Sequence, residues 1–138
     1  KYLNLLALCD VKKKNLSSHL KVLKFNSLNE IIKKNLNLDL ISICTPSGLH
    51  KFHAIQCLKK GINILIEKPM ALNKKDAKEI INVGKKYKKK IFVCLQNRYN
   101  PTVQLLKKTI DNGKLGKIYF VNVNIFWPFL LHRHMNYL

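Results

Sequence analysis

No glycine-rich phosphate loop occurs in these 138 residues. There are five glycines, none before Gly48, and no GxGxxG, so the usual backbone cradle for a pyrophosphate is missing from the sequence. No run of eighteen apolar residues occurs, which argues against a membrane-spanning helix. The four cysteines, Cys9, Cys44, Cys57 and Cys94, form no CxxC pair, and the common zinc and redox spacings are therefore not met. Arginine is scarce: Arg98 and Arg133 stand against 24 lysines, and acidic residues number seven. The net charge is +19, yet base readers favour arginine and stacking aromatics, and neither clusters here. Lysine, asparagine and isoleucine number 24, 15 and 14. All three can be encoded by A/T-only codons, so base composition accounts for much of the charge. A basic nucleic-acid-binding protein is the last-ranked reading.

What is present alternates strand and helix signals. Leu3 to Cys9 is an apolar run ending at Asp10. A short helix is expected around Leu16 to Leu20, and a brief strand near Lys21 to Phe25. Ser27-Leu28-Asn29-Glu30 is a capping box. Leu40 to Cys44 reads as a strand, Thr45-Pro46-Ser47-Gly48 as a turn, and Leu49 to Lys60 as a helix with Leu49, Phe52, Ile55 and Leu58 on its inner face. Gly61 ends it. Ile62 to Ile66 is the next strand. Asn73 caps a helix whose expected core face is Ala77, Ile80, Ile81, Gly84 and Tyr87. Ile91 to Leu95 is another strand, and Asn100-Pro101 opens a helix with Val103, Leu106 and Ile110 inward.

Nearly continuous apolar strands separated by helices imply parallel βαβ units covered on both faces. The expected fold is α/β: an incomplete Rossmann-like, doubly wound parallel sheet over residues 1–115. From 116 to 138 the pattern changes. Tyr119, Val121, Val123, Ile125 and Trp127 alternate with Asn122 and Asn124, as in a half-buried strand beginning a C-terminal α+β domain. Cys9, Cys44 and Cys94 close apolar runs and are expected to be buried free thiols, which suits a reducing cytoplasm.

Two places carry chemistry by position. Asp10 ends the first strand, where an acidic side chain either accepts from an adenosine ribose or caps the following turn. A ribose role would place the first strand and glycine loop before Lys1. Glu67-Lys68-Pro69 follows a buried strand, the end at which open α/β sheets bind ligands. His50, His53 and Cys57 have ligand-like helical spacing, but no second cluster completes a metal site, so no metal is expected.

The ordered series Asp39 to His50, Gly61 to Pro69, Gln96 to Pro101 and Gly113 to Ile118 resembles the Gfo/Idh/MocA family of NAD(P)-dependent oxidoreductases. The likeness spans residues 3 to 128. Gln96 to Pro101 with Val123 to Trp127 looks most like bacterial dehydrogenases that oxidise C3 of UDP-N-acetylglucosaminuronic acid for surface-polysaccharide synthesis. The resemblance implies that Lys68 is catalytic, holding the sugar hydroxyl and assisting its deprotonation. It implies cofactor contacts from Asp10, Thr45, Pro46, Ser47, His50, Glu67, Lys68, Asn97 and Trp127, and substrate contacts from Lys68 and Arg98. The implied cofactor is NAD rather than NADP, because Asp10 would repel a 2′-phosphate.

The implied substrate is a sugar or nucleotide sugar, and the whole enzyme is expected to be a homo-oligomer without nucleic-acid or membrane partners. The family's Asp-x-x-x-His pair has no counterpart, since His132 and His134 have a different spacing. Residues 129–138 do not resemble the relatives. The chain is thus expected to be a fragment of a dehydrogenase, the alternative being an inactive remnant of such a gene. If a frame shift made the tail, another frame of the coding DNA should continue the family pattern; its absence from every frame would refute this origin.

Overall fold

A computed structural model describes residues 3–16 and 21–124. The chain divides into two compact units, Lys1–Gln96 and Asn97–Leu138. In the first, β1 (Ala7–Cys9) pairs in parallel with β2 (Leu23–Phe25). A 3₁₀ turn, Lys13–Asn15, follows β1, and residues 17–20 of the expected helix lie outside the described residues. Helix α1 (Leu28–Lys33) starts at the expected capping box. Ser27 Oγ accepts from the Glu30 amide at 3.3 Å, and the Glu30 carboxylate accepts from the Asn26 amide at 3.0 Å. Donors otherwise orphaned at a helix start are thereby satisfied.

The remaining elements of this unit are β3 (Leu40–Ile43), α2 (His50–Lys59), β4 (Asn63–Glu67), α3 (Lys74–Lys86) and β5 (Ile91–Cys94). The three strands form one parallel sheet in the order β3-β4-β5, so the expected α/β class with helical crossovers holds. Ile43 stands opposite Ile66, and Glu67 opposite Cys94. At the crossover into β4, Gly61 has φ +76°, a backbone state that costs glycine little.

One sheet face makes the core. Ile43, Ile64 and Ile66 pack with Ala54, Cys57 and Leu58 of α2 and Ile80 of α3. The inner face of α2 differs from the expected one: His50, Ala54, Cys57 and Leu58 are buried, whereas Leu49 and Phe52 are 46% and 59% exposed. Small Ala54 and Cys57 allow the helix to sit close to the sheet, which turns the bulky Phe52 outward. On α3, Ile80 and Gly84 are buried, but Ile81 and Tyr87 are exposed. Gly84 marks a close approach, since a Cβ there would stand 2.5 Å from Ile91 Cδ1. Lys51 ties the two helices together, 2.7 Å from Asp76 and 2.8 Å from Glu79.

Two further expectations change. Cys9 and Cys44 are exposed and Cys94 is half-buried, so Cys57 is the one fully buried thiol, pushed up to about 12 by burial. Strand ends are where a parallel sheet meets solvent, which explains the difference. The second face of the sheet is open among the described residues, with Ser42 and Phe92 exposed. No helix among the described residues is long and apolar enough to cross a membrane.

In the second unit, α4 (Pro101–Asp111) begins as expected: Pro101 occupies the first turn and Asn100 Oδ1 accepts from the Thr102 amide at 2.9 Å. Its expected inner residues, Val103, Leu106 and Ile110, are exposed. Among the described residues of this unit there is no second α-helix and no strand to cover them. Residues 117–124 form no strand and Tyr119, Val121 and Val123 are exposed. A strand needs a neighbouring ladder for its backbone groups, and the described residues of this unit supply none. Ile125 and Trp127 lie outside the described residues.

The revised face of α2 is testable by chemical denaturation. Leu58→Ala should cost about 2–5 kcal/mol, while Phe52→Ala should stay within about 0.5 kcal/mol. Equal losses would contradict the observed packing.

Candidate functional site

Parallel strands finish on the same side of their sheet, so the segments after β3 and β4 gather at one edge. After β3, Thr45-Pro46 leads into a 3₁₀ turn, Ser47–Leu49, that runs directly into α2. Thr45 and Ser47 are half-buried and Pro46 is exposed. β4 ends on half-buried Glu67, and exposed Lys68 and a cis bond to Pro69 follow. The Lys68 amide donates to Glu67 Oε2 at 3.2 Å.

His50 joins these two segments. The residue is 1% exposed. Nδ1 lies 2.8 Å from the Pro69 carbonyl oxygen and Nε2 lies 2.8 Å from that of Thr45. Both nitrogens are thus engaged with backbone, and almost none of the ring faces solvent. His53, one turn along α2, places Nδ1 3.1 Å from the Thr45 hydroxyl. Burial, and after it the neighbouring His50, hold the His53 ring below its ordinary range. The histidine spacing noticed in the sequence therefore serves the Thr45 turn. Among the described residues no group of three or more His, Cys, Asp or Glu side chains is arranged to hold a metal ion.

Its sequence context marks Cys94 only as a thiol closing an apolar run. Register brings it opposite Glu67, and burial, then the nearby Glu67 carboxylate, push its thiol up. The signal was there in the equal lengths of two apolar runs, but only pairing converts those lengths into a neighbour.

Asp10 stands at the end of β1. Its Oδ1 accepts from the Lys12 amide at 2.7 Å and Oδ2 from the Asn15 side chain at 2.9 Å. These bonds, the one from Asn15 foremost, hold its carboxyl below the ordinary range. The capping reading is thus realised. A carboxylate offers about four acceptor positions, so two bonds leave capacity for a ligand hydroxyl. Asn97 and Arg98 lie in a 3₁₀ helix, Gln96–Tyr99, and are exposed. Trp127 and the histidines at 132 and 134 lie outside the described residues.

The family model for Gfo/Idh/MocA oxidoreductases, described as an oxidoreductase family with an NAD-binding Rossmann fold, matches residues 2–95. This chain belongs to that family. Its sequence is 31% identical over 81 residues to the D-glucoside 3-dehydrogenase of Escherichia coli K12, covering 59% of this chain and 23% of that protein. The glucose-6-phosphate 3-dehydrogenase of Bacillus subtilis is 28% identical over 123 residues, covering 87% of this chain and 34% of the relative. The WlbA dehydrogenase of Bordetella pertussis, crystallised with NADH and UDP-GlcNAcA, superposes with a TM-score of 0.78 at 34% identity. That match covers 84% of this chain and 36% of WlbA. This family member thus spans about a quarter to a third of the length of these relatives.

The depressed His53 gives a sign for acid sensitivity. The unfolded ring takes up a proton near the ordinary 6.5, before the folded one does. Stability should therefore be full above about 6.5 and fall as pH drops below it toward the lower folded value. Urea midpoints across that window should fall less steeply in His53→Gln; an unchanged slope would remove His53 as a cause.

Proposed function

We propose that this chain carries the NAD-binding part of an oxidoreductase that oxidises a hydroxyl of a sugar or nucleotide sugar. The observation that carries this reading is Lys68, exposed directly after β4 at the ligand-binding end of the parallel sheet. Family membership and the sugar dehydrogenases among the relatives support it.

The residues present suit parts of a nicotinamide dinucleotide. Asp10 retains acceptor capacity for the adenosine ribose, and its charge disfavours a 2′-phosphate. Thr45, Pro46 and Ser47 offer a turn against which the cofactor lies, and Glu67 would accept from the nicotinamide ribose. The glycine loop that would cradle the pyrophosphate is absent from this sequence. When bound, the nicotinamide supplies the acceptor for hydride from the oxidised carbon.

Lys68 holds the substrate hydroxyl and takes its proton, the work of a general base. Asn97 adds a cofactor contact, Arg98 pairs with a carboxylate or diphosphate of the substrate, and Trp127 is a further cofactor contact that the family resemblance implies. Residues 116–138 begin the substrate and oligomerisation domain. The narrower reading is a UDP-sugar acid as substrate, in surface-polysaccharide synthesis, in the cytoplasm.

In the whole enzyme, Lys68→Ala should lower turnover by about 10²-fold or more while leaving NAD affinity nearly unchanged. Near-wild-type turnover would refute the assigned role. Calorimetry of the chain itself with NAD separates the alternatives. Binding at micromolar Kd, reduced by Asp10→Ala, supports the cofactor reading; no binding supports a non-catalytic remnant.

A further inference from the structure

His50 presents a donor problem with one good solution. Backbone carbonyl oxygens only accept, and two of them face its two ring nitrogens at 2.8 Å each. A neutral imidazole carries one N–H. It would satisfy one carbonyl and direct a lone pair at the other, from a residue that is itself 1% exposed. Two lone pairs facing each other at 2.8 Å repel, and the buried ring nitrogen is left without a partner, which is costly.

We propose that His50 donates from both ring nitrogens, as an imidazolium, and so acts as a positioning residue that pins the loop after Lys68 to the Thr45 turn. Burying a charge opposes this arrangement, and two charge-assisted hydrogen bonds to carbonyl dipoles offset the cost. The titratable groups flanking the contacts are His53 on α2, Glu67 and Lys68 immediately before Pro69, and Cys44 immediately before Thr45.

The consequence reaches Lys68 through one residue. Pro69 directly follows it, so holding the Pro69 carbonyl limits where the Lys68 backbone sits relative to the turn. The link from this clamp to turnover rests on the proposed role of Lys68; the clamp itself does not.

Nitrogen-15 NMR of the ring in the intact chain at neutral pH decides the first point. Two protonated ring nitrogens assigned to His50 are expected, their signals vanishing in His50→Gln. One protonated and one bare nitrogen would overturn the proposal, whatever the variants do. Amide hydrogen exchange decides the second. His50→Gln should speed exchange at Lys68, Met70 and Ala71 while leaving β5 unchanged; equal exchange throughout would overturn the positioning role. In the whole enzyme the same variant should lower kcat by about 10-fold or more with little change in KM. If Lys68→Ala proves harmless there, the functional reading fails while the NMR and exchange results still judge the clamp.

Discussion

Parallel register among β3, β4 and β5 brings the ends of three strands to one side of the sheet, and the site is built on that constraint. Ile43 lies opposite Ile66, and Glu67 opposite Cys94. A slip of one residue would turn every side chain to the other face. Ile43, Ile64 and Ile66 would then leave the core, so the burial of these isoleucines and the placement of Glu67 are two results of the same pairing. Helices α2 and α3 act on that pairing from one side and hold it there through Ala54, Cys57, Leu58 and Ile80.

Polar groups at the strand ends are committed mostly to local contacts. Asp10 binds its own loop, Glu67 accepts from the next amide, and His50 bridges two turns. This is what unpaired donors and acceptors near a sheet end demand. It also means that the loops after β3 and β4 are joined by one buried side chain rather than by a ladder. Lys68, in contrast, stays exposed.

Much of the fold was legible in residue types. The Ser27, Asn73 and Asn100 caps are realised at the positions their spacing indicates, because capping is a contact over three residues or fewer. Strands at 40–44, 62–66 and 91–95 were legible as apolar runs. Helix faces were less so. Phe52 looks like core by period, yet lies outward because Ala54 and Cys57 permit the closer approach. The exposed face of α4 and residues 117–124 depend on neighbours that the described residues do not include. In the candidate site, Lys68 and Asp10 were legible from strand ends, while the pairing of Cys94 with Glu67 and the engagement of both His50 nitrogens were not.

By itself the sequence determined the element order, the parallel α/β class, the family and the lack of a glycine loop. These rest on local capping chemistry, apolar run lengths and ordered motifs, none of which needs a distant partner. Tertiary structure alone decided which helix faces are buried and what each polar group bonds. The physical reason is reach. His50 meets Pro69 across 19 positions of chain, and Cys94 meets Glu67 only through strand register. No local pattern encodes such contacts until the sheet has formed.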